Sequence, residues 1–200
     1  MNDRFVNLNV CHRGDRKYLQ SADIYLEIDK NIKNMFGIMA WIQHISFRKF
    51  IKKSCFLEID SVNNISNASG LVKIKNGKDD INFIIVEGEK EKVCVCEDID
   101  KKIEKLCQID KELKRVSIKS VKNIQLMQII VGSTKILHND LLHSNGKWIA
   151  SQVDMNVYLE QNKKYKNLTI EIKSIVSDIY SISHITMDNL LIGSIRFMKI

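Results

Sequence analysis

Trp41-Ile42-Gln43-His44-Ile45-Ser46-Phe47-Arg48-Lys49-Phe50 and Trp148-Ile149-Ala150-Ser151-Gln152-Val153 decide how this chain is read, because each opens the same series of strands. After Trp41 come Cys55-Phe56-Leu57-Glu58-Ile59-Asp60, Leu71-Val72-Lys73-Ile74-Lys75, an Asn76-Gly77 turn and Ile81-Asn82-Phe83-Ile84-Ile85-Val86. After Trp148 the chain runs on through Val157-Tyr158-Leu159 to Asn167-Leu168-Thr169-Ile170-Glu171-Ile172-Lys173. It continues with Ile179-Tyr180-Ser181-Ile182-Ser183-His184-Ile185, an Asp188-Asn189 turn and Leu190-Leu191-Ile192-Gly193-Ser194-Ile195-Arg196-Phe197. Such self-similarity points to a duplicated unit, and it has to be settled before any single element is assigned. The offset between copies widens between the tryptophans and the Glu58/Glu171 pair, which puts the extra residues in the polar stretch 161–166, where an insertion adds little closure entropy.

Upstream of each tryptophan the pattern changes period. Phe5-Val6-Asn7-Leu8-Asn9-Val10 and Arg115-Val116-Ser117-Ile118-Lys119-Ser120-Val121 alternate apolar and polar residues and read as short strands. A helix follows each. In the first copy Ser21 is the expected N-cap, Asp23 complements the dipole in the first turn, Ile24, Ile28, Ile32 and Met35 form the apolar face, and Gly37 ends the helix. In the second, a helix over roughly 124–142 is apolar on nearly all sides and is therefore expected to be buried. The Asn76-Gly77 pair predicts a type I′ hairpin, whose two central residues both need positive φ. Between the copies, Ile99, Ile103, Leu106, Ile109 and Leu113 form a stripe with Glu and Lys opposite, which predicts a surface linker helix. The expected domains are 1–92, a linker helix at 93–114, and 115–200.

Composition narrows the function classes. With 200 residues, 44% of them hydrophobic, the chain can bury one large core or two small ones. The longest apolar run, Ile124 to Leu137, is interrupted by Gln125, Gln128, Gly132, Ser133, Thr134 and Lys135, so no membrane span is expected. Met1-Asn2-Asp3-Arg4 shows no signal peptide, and the odd, scattered cysteines at 11, 55, 94, 96 and 107 are not a disulfide framework. A reduced, cytoplasmic location is the expectation. Cys94-Val95-Cys96 has no second Cys or His pair to complete a tetrahedral metal site, and neither a metal nor another cofactor is called for. The net charge of +7 suits an acidic partner. Because the lysines are dispersed and few aromatics lie among them, a nucleic-acid stripe is not indicated.

A strand, a buried helix and a run of long antiparallel strands, twice over, resembles the hotdog fold and in particular the double hotdogs of dehydratase, thioesterase and AfsA-like proteins. The resemblance covers nearly the whole chain and implies an α+β fold, an antiparallel sheet wrapped around two central helices. It implies acyl thioesters of coenzyme A or acyl carrier protein as substrates, processed by dehydration or hydrolysis in fatty-acid, polyketide or secondary metabolism. It also places catalytic groups near the start of the central helix. Homodimer formation stays open.

Under that resemblance the polar segment Cys11-His12-Arg13-Gly14-Asp15-Arg16-Lys17-Tyr18-Leu19-Gln20-Ser21-Ala22-Asp23 holds the site. His12 matches the histidine before the helix that takes the α-proton in hotdog dehydratases, and Asp23 matches the helix carboxylate of hotdog thioesterases. His12 and Asp23 are the candidate acid/base residues and Gln128 their polar partner, but Gln128 stands where a dehydratase needs its second carboxylate, so the paired acid and base of dehydration are not both present. Hydrolysis needs only one group to activate water and a helix N-terminus to polarise the carbonyl. Arg13, Arg16, Tyr18, Gln20, Ser21 and Gln125 are the expected substrate-binding residues, with the cations facing a phosphopantetheine phosphate. The competing reading is a non-catalytic binding or scaffold module, and a basic nucleic-acid-binding protein comes behind it. His138-Asn139-Asp140-Leu141-Leu142-His143 reads as polar C-terminal capping, and His44 and His184 as strand histidines with structural roles.

Overall fold

A computed structural model describes residues 5–59, 65–90, 94–142 and 146–200, so Asp60, His143 and the expected domain boundary at 92/93 lie outside the described residues. The chain divides into two compact units, Met1–Asp98 and Ile99–Ile200.

The first unit contains β1 (Phe5–Leu8), β2 (His12–Arg13), α1 (Ser21–Phe36), β3 (Trp41–Phe47), β4 (Cys55–Ile59), β5 (Gly70–Asn76), β6 (Asp79–Glu87) and β7 (Val95–Cys96). Its main sheet is ordered β1-β4-β6-β5-β3, with every pairing antiparallel. Helix α1 touches both β1 and β3, the two ends of that order, which requires the sheet to curl around it. Ile24, Ile28 and Ile32 of the helix are at most 1% exposed, as are Ile42, Ile45, Leu57, Ile74 and Phe83 of the sheet, burial worth about 1.5–3 kcal/mol per side chain. Met35, expected on that face, is 43% exposed, because the helix ends one residue later at Phe36 and the chain turns away through Gly37 at φ +93°.

The second unit contains α2 (Asp100–Glu104), β8 (Gln108–Asp110), β9 (Arg115–Ile118), α3 (Leu126–Leu141), β10 (Trp148–Met155), β11 (Leu168–Val176), β12 (Tyr180–Met187) and β13 (Leu190–Lys199). Its strands run in the order β10-β13-β12-β11-β9-β8, and α3 touches β10 at one side and β9 and β11 at the other. In both units an antiparallel sheet wraps one long helix, the arrangement that the hotdog resemblance implies.

Strand threading distinguishes the copies. In the second unit β11 and β12 are antiparallel neighbours joined through 177–179. In the first, β4 pairs with β6 rather than β5, and β6 with β5, so β4 and β5 run parallel on either side of β6. Aligning the copies strand by strand does not reveal this difference. The hairpin turns also differ. Asn76 pairs with Asp79, so the central residues are Gly77 and Lys78 with positive φ at Gly77 alone, a type II′ pattern in place of the expected type I′. The type I′ pattern occurs instead at Asp188 and Asn189, with φ of 49° and 69°.

The expected linker helix is a correction. Among the described residues of that stretch only Asp100–Glu104 is helical, and Gln108–Asp110 forms an edge strand paired with β9. Asp110 Oδ1 accepts from the Leu113 N–H at 3.0 Å, a local turn bond that competes with continuing the helix. Ile103 (1% exposed) packs on α3 where Gly132 leaves room; a Cβ at 132 would come within 2.6 Å of its Cδ1. No helix among the described residues is long and apolar enough to cross a membrane.

Candidate active site

The polar segment before α1 folds back on itself. Gly14 takes φ +53°, the Arg16 N–H returns to the Arg13 carbonyl at 3.2 Å, and His12 bridges to Leu19. His12 therefore lies beside the chain immediately ahead of the helix. Strand β7 holds β2 from the other side in parallel register, His12 opposite Val95 and Arg13 opposite Cys96.

His12 Nε2 lies 3.0 Å from the Lys52 carbonyl oxygen. A carbonyl only accepts, so Nε2 carries a hydrogen; of the two neutral tautomers, this contact selects the one whose acceptor is Nδ1. Arg13 is committed elsewhere. Its Nε and Nη2 donate to the two Asp23 oxygens at 2.5 and 2.7 Å, and Nη1 donates to the Glu97 carbonyl at 2.9 Å. Both side chains are 13% exposed. Burial works against the charged guanidinium, but the Asp23 carboxylate outweighs it and leaves the Arg13 pKa raised. The fork geometry fixes β2 to the first turn of α1.

Other expected site residues are placed nearby. Arg16 Nη1 stands 3.4 Å from Asp98, and Tyr18 packs on Phe50 with centroids 4.8 Å apart. The N-cap of α1 is Gln20, with Ser21 as the first helical residue, a correction to the expected Ser21 cap. Gln20 makes no side-chain cap bond; its carbonyl accepts from Asp23 and Ile24, and its side-chain Nε2 is buried without a partner.

Gln125 and Gln128 belong to the second unit's helix and cap it. Gln125 accepts from the Gln128 N–H, while Gln128 Oε1 accepts from the Gln125 N–H at 3.3 Å. Gln161, from the polar stretch 161–166, completes the cap. Its carbonyl accepts from Leu126 at 3.2 Å and its Oε1 from Met127 at 3.0 Å. The backbone donors that open α3 are thus satisfied within the protein. The only available signal was the position of Gln161 in the inserted stretch 161–166. Beside this helix end lies a cavity of about 500 Å³ whose lining includes Lys122, Leu126, Ile129, Gln161, Lys163 and Tyr165.

His138, expected to cap a helix end, is instead fully buried in the second unit. Its Nδ1 donates to the Thr134 carbonyl at 2.7 Å, Nε2 accepts from Ser181 Oγ at 2.5 Å, and its ring stacks on Phe197 at 5.0 Å. Burial pushes its pKa down to about 4, opposed in part by the Thr134 bond, so the ring is neutral. A base beside a hydroxyl resembles a nucleophile pair, yet both His138 and Ser181 are 0% exposed and no substrate carbonyl reaches them. His44 and His184 sit within β3 and β12. Among the described residues, no group of three or more His, Cys, Asp or Glu is arranged to hold a metal ion.

No protein-family model and no curated protein sequence matches the chain. Solved structures do resemble it. The tesB protein of Mycobacterium avium subsp. paratuberculosis matches at 8% identity and TM-score 0.43, covering 93% of this chain and 88% of that one. The dehydratase domain of PpsC from Mycobacterium tuberculosis, solved with C12:1-CoA, matches at 9% and 0.47, covering 98% and 88%. The 12:0-ACP thioesterase of Umbellularia californica matches at 8% and 0.48, covering 98% and 96%. The likeness is one of fold.

Proposed function

We propose that this protein binds an acyl thioester, the substrate class that the hotdog resemblance implies, and hydrolyses it in the first unit with His12 as general base. One observation carries the reading: His12, bridged to the residue before the α1 N-cap, is oriented by the Lys52 carbonyl so that Nδ1 is the free acceptor. In this mechanism Nδ1 takes a proton from water and the resulting hydroxide adds to the thioester carbonyl. The oxyanion faces the amino end of α1, where no side chain competes as a cap. Collapse of the adduct expels the thiolate, which recovers the proton from His12. Asp23 acts as a positioning residue, since both its oxygens accept from Arg13. Hydrolysis is favoured over dehydration because Gln128, at the place of the second carboxylate, is used as a helix cap. The positive net charge suits an acidic carrier protein as the thioester's bearer.

The test is to incubate the protein with acyl-coenzyme A and acyl-carrier thioesters of several chain lengths and follow free acid and thiol by mass spectrometry. His12→Ala should lower turnover by roughly 100-fold or more, the range for a lost general base, while thioester affinity stays within a few fold. Absence of turnover by the wild type would overturn hydrolysis. Thioester binding without turnover would then favour the non-catalytic module.

A further inference from the structure

Cys11 and Cys94 are far apart in sequence, yet their Sγ atoms lie 2.8 Å apart. The short parallel pairing of β2 with β7 is responsible. His12 stands opposite Val95 and Arg13 opposite Cys96, and the His12 N–H donates to the Cys94 carbonyl at 3.3 Å, so the same register extended by one residue sets Cys11 beside Cys94. Neighbouring strands run about 4.8 Å apart, inside the 4.4–6.8 Å Cα separation that a disulfide spans. In-register residues of a parallel pair also point to the same face. Cys96 is the poorer partner for Cys94, because the Cβ atoms of residues i and i+2 on an extended strand lie roughly 6.5 Å apart, well beyond the roughly 3.5–4.5 Å Cβ separation of a disulfide.

The remaining thiols are disfavoured for separate reasons. Cys55 is 2% exposed inside β4. Cys107 donates to the Ile103 carbonyl at 3.3 Å, and burial, with a contribution from Glu104, pushes its pKa up to about 11, which leaves little thiolate at neutral pH. Cys94 is exposed and Cys11 partly so.

We propose that Cys11 and Cys94 form a reversible disulfide that fastens the two ends of the first unit together where β2 and β7 begin. With oxidised glutathione as the oxidant, the exposed Cys94 thiolate attacks one glutathione sulfur, forming a mixed disulfide and releasing one glutathione thiolate. Cys11, deprotonated in turn, attacks Cys94 Sγ and releases the second. Two protein thiols and one glutathione disulfide give one protein disulfide and two glutathiones, and excess reduced glutathione reverses the exchange.

The experiment equilibrates the intact folded protein in glutathione buffers from fully reduced to strongly oxidising, quenches by alkylation and maps peptides by mass spectrometry. Two of the five thiols should be lost together as a Cys11–Cys94 cross-linked peptide, and Cys96→Ser should retain that cross-link. Cys11→Ser and Cys94→Ser should each abolish it while leaving a folded protein by circular dichroism. The cross-link closes a loop around nearly the whole first unit, so oxidation should raise the thermal midpoint by roughly 5 °C or more in the wild type and not in Cys11→Ser. Five alkylatable thiols at the most oxidising ratio, a predominant Cys94–Cys96 product, or a cross-link that lowers the midpoint would each overturn the proposal.

Discussion

Acidification should loosen the second unit through His138 well before most carboxylates titrate. In the fold this ring is fully buried, wedged between Trp148 and Phe197, and its pKa is pushed down to about 4 from an ordinary 6.5. The unfolded chain therefore takes up a proton near pH 6.5 that the folded chain refuses until about pH 4. Stability is fully present above pH 6.5, falls as the pH drops through the window between the two values, and levels off below the lower one. Between pH 7.5 and 5 the linkage amounts to about 2 kcal/mol, and across the whole window to about 3 kcal/mol. Trp148 is 3% exposed with its ring 4.9 Å from His138, so its fluorescence reports on this core. A Trp41→Phe background leaves it as the sole tryptophan. Urea titrations of that variant at pH 7.5, 6.5, 5.5 and 5 should show the loss, and His138→Phe should flatten the slope whatever its own stability. A pH-independent midpoint in the parent, or an equal slope in His138→Phe, would refute the assignment of a neutral buried imidazole.

Breaking the Arg13–Asp23 fork should cost about 2–4 kcal/mol for Arg13→Ala, because it strands a largely buried carboxylate at the start of α1; Arg13→Ala/Asp23→Asn should recover part of that loss in chemical denaturation. Gln161→Ala removes the acceptor of the Met127 N–H and should destabilise the second unit by about 1 kcal/mol, read as an earlier loss of Trp148 fluorescence in the same background.

Local rules made the fold legible where they act over a few residues. Ile24, Ile28 and Ile32 mark a helical face by spacing alone, and the alternation from Leu168 to Ile172 marks a strand with one face inward. What sequence could not convey was competition between local and tertiary partners. The stripe Ile103, Leu106, Ile109 and Leu113 fits a helix, yet an Asp110 turn and the open edge of β9 offered the chain a strand, and Leu113 ended up 51% exposed. His138 looked polar at a helix end because hydropathy cannot foresee that Thr134 and Ser181 satisfy both of its nitrogens. Asp23 was legible as a first-turn acid, but its pairing with Arg13 depends on the reversal at Gly14.

The difference between the two central helices bears most directly on function. Each begins after a glutamine, Gln20 in one and Gln125 in the other, so the sequence offers near-equivalent ends. In the second unit Gln125, Gln128 and Gln161 take the opening backbone donors, which leaves that terminus little capacity to stabilise an incoming oxyanion. In the first, Gln20 supplies no side-chain cap, an oriented histidine lies one bridge away, and the nearest carboxylate is already neutralised by an arginine fork. On the proposed hydrolysis, a duplicated fold with one closed helix end leaves the first unit as the place for a single asymmetric site. The distinction can be tested by exchange: Gln161→Ala, which frees the Met127 N–H at the α3 terminus, should leave thioester turnover unchanged, while His12→Ala lowers it by roughly 100-fold or more.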